Sequence, residues 1–153
     1  MPEQNLESPE LVIQRWLKGE IKAQELFALS PETMQALAEH GYMLYEQGKY
    51  RPARVIFEGL AAIDNSNHNY HKMLGSIYQM EEQWDAAYYR YTLALKAVPN
   101  DIHALTNRGE VLLQLGKSRE AAEDLRRAIQ LDGQNINPAG RRARVLLANL
   151  GMR

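Results

Sequence analysis

The stretch YEQGKYRPARVIFEGLAAID, residues 45–64, has the pattern of two short helices joined by a turn. A second stretch, YQMEEQWDAAYYRYTLALKAVP at residues 78–99, has the same pattern. A hairpin that occurs twice within 153 residues indicates an internal repeat, and an internal repeat determines the fold more strongly than any single helix does.

The repeat has a period of 34 residues, because glycine occurs at positions 41, 75 and 109. Four further columns keep this period: an alanine, a large apolar residue, a smaller apolar residue and a chain breaker. In that order the columns hold Ala53, Ala87 and Ala121; Phe57, Tyr91 and Leu125; Leu60, Ala94 and Ala128; Asn65, Pro99 and Gly133. Five columns with one period predict three stacked hairpins at residues 34–67, 68–101 and 102–135.

Each column has a physical interpretation. Small residues let two helices approach closely, so each glycine is predicted to face the alanine of its own copy. The bulky residue is predicted to fill the space between hairpins, and the breaker to end the second helix. This pattern resembles the tetratricopeptide repeat over about two thirds of the chain, and the resemblance implies an all-α, short curved solenoid.

Residues 1–33 are predicted to form an N-terminal helical arm, capped by Ser8 with Pro9 at its first position. The same Ser-Pro pair at Ser30 and Pro31 is predicted to open the first hairpin. The apolar stripe of the arm comprises Leu11, Val12, Ile13, Trp16 and Leu17.

Residues 136–153 are predicted to form a C-terminal capping helix that starts with Asn137 as cap and Pro138 at the first position. An apolar stripe is expected to close the open end of the stack. It consists of Val145, Leu146 and Leu150. The neighbouring arginines at positions 141, 142 and 144 are interpreted as a solvated face.

Composition and motifs argue against several functions. The formal charge of −1 disfavours nucleic acid and membrane surfaces as main partners. The polar N-terminus has no export signal and no stretch could span a membrane, so we expect a cytoplasmic location. Cysteine is absent, and no nucleotide-binding, zinc-protease or serine-hydrolase motif occurs. His68 and His71 lack a carboxylate at ligand spacing, so we expect no metal, no cofactor and no enzyme activity.

A stacked-hairpin array without catalytic residues is typical of a binding surface, with the first helix of each hairpin on the concave side. The first helix of each copy has a stripe of residues that face the core, which in the first copy is Leu37, Gly41 and Leu44. The predicted groove residues each follow a stripe residue by one position, which is about 100° further around the helix. They are Ala38, Tyr42 and Tyr45 in the first copy, Lys72, Ser76 and Gln79 in the second, and Thr106 and Glu110 in the third, with Asn69 beside them. This mildly polar, aromatic surface favours an extended peptide with apolar anchors. It lacks the lysine, arginine and asparagine side chains with which some tetratricopeptide modules bind the acidic C-terminus of a partner.

A narrower resemblance follows from longer motifs. The segments LFALSPETMQAL, YMLYEQGKYRPARVIFEGLAAID and LGSIYQMEEQWDAAYYRY resemble the class II chaperones of type III secretion, which guard hydrophobic translocator proteins. The resemblance implies that an extended translocator segment binds in the groove, with Tyr42 and Tyr45 matching the groove tyrosines of the family. It also implies that the N-terminal arm forms homodimers.

Three alternatives stay open at this stage. The chain could be a general tetratricopeptide adaptor in another bacterial assembly. It could be a non-catalytic subunit that regulates an enzyme through its C-terminal helix. The apolar stripe of the arm could pack on its own first repeat instead of on a second copy.

Overall fold

The computed structural model describes residues 11, 12, 14, 15, 18–21 and 29–151, and within these residues it contains helices and no strand. Seven helices follow one another over residues 31–149: α1 (Pro31–Glu46), α2 (Tyr50–Ile63), α3 (His68–Met80), α4 (Trp84–Ala97), α5 (Ile102–Gln114), α6 (Ser118–Leu131) and α7 (Pro138–Asn149). The predicted all-α class is confirmed. The chain divides into two compact units, Met1–Asn65 and Ser66–Arg153, which are described separately.

The first unit contains the hairpin of α1 and α2. The side chain of Ser30 accepts a hydrogen bond of 3.2 Å from the Thr33 amide and caps α1, with Pro31 in the first turn, as predicted. Gly48 forms the turn at φ +73°, a conformation that glycine adopts without a steric penalty. Leu37 and Phe57 lie among the buried side chains of the two helices.

The second unit stacks two hairpins and the C-terminal helix, each element against the next along the chain. Asn67, Asp101 and Asn137 cap α3, α5 and α7 through side-chain oxygens that accept backbone N–H bonds. The hairpins of this unit bury apolar faces against their neighbours in two clusters, one across α4, α5, α6 and α7 and a smaller one between α4 and α5.

The bulky column makes a contact that the sequence analysis did not predict. A Cβ atom added to Gly75 would lie 2.6 Å from the Tyr91 ring, and one added to Gly109 would lie 2.9 Å from the Leu125 side chain. Gly41 has the same relation to Phe57, at 2.8 Å. The bulky residue therefore lies on the glycine of its own hairpin, because the missing side chain leaves a flat seat for it. Tyr91 also shares a buried cluster with Val111 of the next hairpin, and Leu125 shares one with Ala143 and Leu147 of α7, so the bulky residue contributes to packing both within its hairpin and against the next element.

The C-terminal helix begins at Pro138 with Asn137 as its cap, as predicted. Its stripe is shifted from the prediction, since Val145 is 60% exposed whereas Leu147 is buried, with Leu146 and Leu150 beside the core. Arg144 is not simply solvated. It donates to Asp132 Oδ2 at 2.8 Å and to the Asp132 carbonyl at 2.7 Å, which ties α7 to the end of α6.

Candidate functional site

In the first unit the predicted site residues Ala38, Tyr42 and Tyr45 lie four and three residues apart on α1 and form one face, called here the α1 face. The Tyr42 side chain is 48% exposed. Tyr45 is half-buried, and its ring centroid lies 5.7 Å from that of Tyr50 in a tilted arrangement. The α1 face therefore offers one exposed aromatic side chain beside one that packing holds in place.

Both tyrosines keep their protons at neutral pH. A hydrogen bond to Glu46 raises the pKa of the Tyr42 hydroxyl, and the charge of Glu46 raises it further. Burial raises the pKa of Tyr45, with smaller contributions from Tyr50 and Tyr42. Both side chains are therefore neutral amphipathic rings that can contact an apolar ligand and still donate a hydrogen bond.

In the second unit Asn69, Lys72, Ser76 and Gln79 form the α3 face. Asn69 is exposed, whereas Lys72 donates to Asp101 Oδ2 at 2.7 Å. Burial raises the pKa of Asp101, but the bonds from Lys72 and from the Ala104 amide outweigh it and lower the pKa. The Lys72 ammonium is thus engaged by the carboxylate that caps α5 and is not a free cation for a ligand.

The hydroxyl of the fully buried Tyr91 links Ser76 to Gln79 by hydrogen bonds, and Gln79 extends this chain to Glu110. Tyr91 donates to Gln79 Oε1 at 3.0 Å, so the Ser76 hydroxyl, also at 3.0 Å, donates to Tyr91. Gln79 Nε2 then donates to Glu110 Oε2 at 3.2 Å, and the Arg142 guanidinium lies 3.7 Å from the same oxygen. This polar chain crosses α3, α4, α5 and α7 and fixes the orientation of half-exposed polar groups.

Thr106 lies in a different environment from the rest of the predicted set. Its side chain is fully buried and donates to the Ala139 carbonyl of α7 at 3.2 Å. In this structure Thr106 joins two helices and presents no side-chain surface to a ligand.

The sequence analysis missed two members of the polar chain. Tyr91 was assigned to packing because its column holds Phe57 and Leu125 in the other copies. Its hydroxyl was the available signal, since a buried tyrosine hydroxyl needs a hydrogen-bond partner. Arg142 was interpreted as solvated, and only the position of α7 shows that its guanidinium reaches Glu110 and the side chain of Asn107.

The predicted dimerisation stripe is only partly described. Leu11 is 44% exposed, and Val12 is 4% exposed. Ile13, Trp16 and Leu17 lie outside the described residues. The exposed Leu11 suits contact with a second copy, whereas Val12 is already covered within the chain.

No group of three or more histidine, aspartate or glutamate side chains in the described part of the chain could hold a metal ion. Of the helices that the structure describes, none combines the length and the apolarity needed to cross a membrane. His71 is buried, with Nδ1 3.5 Å from the Arg90 guanidinium, which is an unsuitable setting for a metal ligand.

Hairpins with this period and this glycine seat define a tetratricopeptide-repeat protein, and a sequence profile described as "Tetratricopeptide repeat" matches residues 102–135. The chain is 29% identical over 120 residues to the low calcium response locus protein H of Yersinia pestis, covering 76% of this chain and 69% of the relative. It superimposes with a TM-score of 0.75 on Pseudomonas aeruginosa PcrH in complex with the chaperone-binding region of PopD, at 25% identity over 81% of this chain and 95% of that one.

The Yersinia enterocolitica type III secretion chaperone SycD, in complex with a peptide of the translocator YopD, has the same fold. Its TM-score is 0.71 at 24% identity, over 80% of this chain and 92% of that one. Taken together, these similarities confirm the resemblance to the tetratricopeptide-repeat translocator chaperones of type III secretion that the sequence motifs indicated.

Proposed function

We propose that this chain is a cytoplasmic, non-catalytic chaperone of type III secretion that binds an extended segment of a hydrophobic translocator on the first-helix faces of its repeats. The observation that carries the proposal is the similarity to PcrH, whose structure was determined with the chaperone-binding region of PopD. The shared fold and the side chains on α1 and α3 support the same assignment.

The α1 face suits an apolar anchor of the client. The exposed Tyr42 ring provides a large contact area with only two side-chain torsions to restrict. Tyr45, already held against Tyr50, adds contact at a still lower entropic cost. We expect this face to contribute most of the apolar contact in the first unit.

The polar chain suits the backbone of an extended peptide. Because Ser76 donates its proton to Tyr91, its oxygen remains free to accept a bond from a client N–H. Glu110 Oε1 has no partner among the described residues and can accept another. Since these groups are oriented before the client arrives, binding costs less ordering entropy.

Binding of this kind would protect a client that must later enter a membrane. The apolar segments of such a protein aggregate in water when they are left exposed. A chaperone that occupies one extended stretch keeps the client soluble and incompletely folded. Affinity per unit area is modest, because ordering the segment costs conformational entropy, so the client can be released for export.

The N-terminal arm is proposed to form a homodimer through its apolar stripe, to which the exposed Leu11 contributes. A second crystal structure of SycD, described as an alternative dimer, shows that a chaperone of this fold can associate with itself.

The proposal is tested by co-expressing the full chain with the hydrophobic translocator of its own secretion system. We expect the translocator to move from the insoluble fraction to the soluble fraction and to co-elute with the chain on a sizing column. A translocator that precipitates equally with and without the chain, while the chain remains folded, would refute the proposal in favour of an adaptor.

A further inference from the structure

A pocket of about 280 Å³ opens between α4, α5 and α6 of the second unit, and no residue of the α3 face lines it. Its lining, called here the cationic pocket, consists of Thr92, Leu95, Lys96, Pro99, Leu105, Arg108 and Arg127. Leu95 and Leu105 are 7% and 2% exposed and provide an apolar floor. The volume is below that of most small-molecule sites and is suited to one or two side chains.

The charge of this lining is positive and incompletely balanced. Arg108 donates to both oxygens of Asp124 at 2.7 Å, so that pair is neutral. The Arg127 guanidinium donates to the neutral side chain of Asn100 at 2.8 Å. Among the residues that the structure describes, no carboxylate pairs with Lys96 or Arg127. The pocket therefore carries two positive charges above an apolar floor.

The paired Arg108 makes the wall rigid. It also donates to the Thr92 hydroxyl at 3.2 Å, and its guanidinium lies 5.8 Å from the centroid of the Tyr88 ring. These contacts join α4, α5 and α6 and hold the pocket open without a ligand. A pre-organised pocket of this kind can bind a side chain at little conformational cost.

We infer that the cationic pocket is a docking site for a second partner protein, through an acidic segment in which an apolar side chain lies close to aspartate or glutamate. The apolar side chain would rest on Leu95 and Leu105, and the carboxylate would lie between Lys96 and Arg127. Charge complementarity selects this occupant, because an apolar peptide alone would leave two cations unpaired at the rim. The inference does not depend on which face holds a translocator.

The test uses the full chain and a panel of fluorescent, C-terminally amidated 12-residue peptides. Each peptide places Leu, Met or Phe one to four positions from Asp or Glu in a Gly-Ser background. Matched peptides replace the acids by their amides or the apolar residue by serine. Binding is followed by fluorescence anisotropy at about 50 and 200 mM salt, since an exposed charge contact weakens with screening.

We expect saturable binding by acidic-apolar members of the panel and at least about fivefold weaker binding when either feature is removed. Lys96→Gln with Arg127→Gln should weaken binding at least about fivefold as well. Arg119→Gln with Arg141→Gln changes two exposed cations elsewhere by the same total charge and should leave binding within about twofold.

Three results would overturn the inference. Absence of saturable binding by every peptide up to about 1 mM would show that the pocket holds no such segment. Equal weakening in the two double variants would show only non-specific charge attraction. Loss of self-association in Lys96→Gln with Arg127→Gln, measured by sedimentation, would identify the occupant as a second copy instead.

Discussion

Replacing Gly75 by alanine tests how the second hairpin is built. The new methyl group would lie 2.6 to 2.8 Å from three ring carbons of Tyr91, closer than two carbon atoms can approach. Tyr91 is fully buried, and its hydroxyl is held by hydrogen bonds of 3.0 Å to Ser76 and Gln79. To restore a normal contact, the ring must move by about 1 Å, which breaks these two bonds.

The net loss of stability is expected to be about 3 kcal/mol. Overpacking of a buried site costs about 1–3 kcal/mol. The two lost hydrogen bonds add about 1 kcal/mol each, and the better helix propensity of alanine returns about 1 kcal/mol. For a chain of this size the corresponding decrease in Tm is about 6–12 °C.

Thermal and urea unfolding followed by far-ultraviolet circular dichroism measure this change. Gly133→Ala is the matched control, because its Cβ would meet only the Gln130 carbonyl at 3.9 Å and should shift stability by less than about 1 kcal/mol. In a Tyr91→Leu background the cost of Gly75→Ala should fall by more than half, since the rigid ring is gone. A Gly75→Ala protein as stable as the wild type, or a cost that Tyr91→Leu does not change, would refute this packing.

Two further substitutions test the polar chain and the C-terminal helix. Tyr91→Phe keeps the ring and removes the hydroxyl, so stability should fall by about 1–2 kcal/mol in urea unfolding; no loss would mean that Ser76 and Gln79 do not depend on it. The Asp132 carboxylate accepts hydrogen bonds from the Asn137 amide and from the Arg144 side chain, and these bonds lower its pKa, the Asn137 bond most. Asp132→Asn should therefore lower the Tm at pH 6. Because the folded pKa lies below the unfolded value, the stabilisation is present above about pH 4 and is lost as the pH falls through the folded pKa. The difference in Tm between the two proteins should therefore shrink below about pH 4, and a constant difference would contradict this role.

The repeat was the part of the fold that could be predicted from the sequence. A fixed 34-residue period located all three hairpins, and local cap chemistry located the starts of α1 and α7 at Pro31 and Pro138. Both signals are short-range or periodic, so a single sequence is enough to read them.

Tertiary contacts could not be predicted in the same way. The contact of Tyr91 with Gly75 depends on how closely α3 and α4 approach. Likewise, the sequence alone indicates a solvated Arg144, and only the position of α7 shows that this side chain contacts Asp132. The predicted positions on α1 and α3 depend only on the rotation per residue, whereas the burial of Thr106 depends on the Ala139 carbonyl of a later helix.

The central claim is that the client binds the first-helix faces, and Tyr42→Ala tests it most directly. The affinity of the purified full chain for its translocator segment is measured by titration calorimetry, with Tyr89→Ala as the matched control on a second helix. The two side chains are 48% and 58% exposed, so their removal should perturb folding equally little. The account predicts at least about fivefold weaker binding for Tyr42→Ala, as for an aromatic anchor, and no change for Tyr89→Ala. Unchanged affinity in Tyr42→Ala, or an equal loss in Tyr89→Ala, would contradict it.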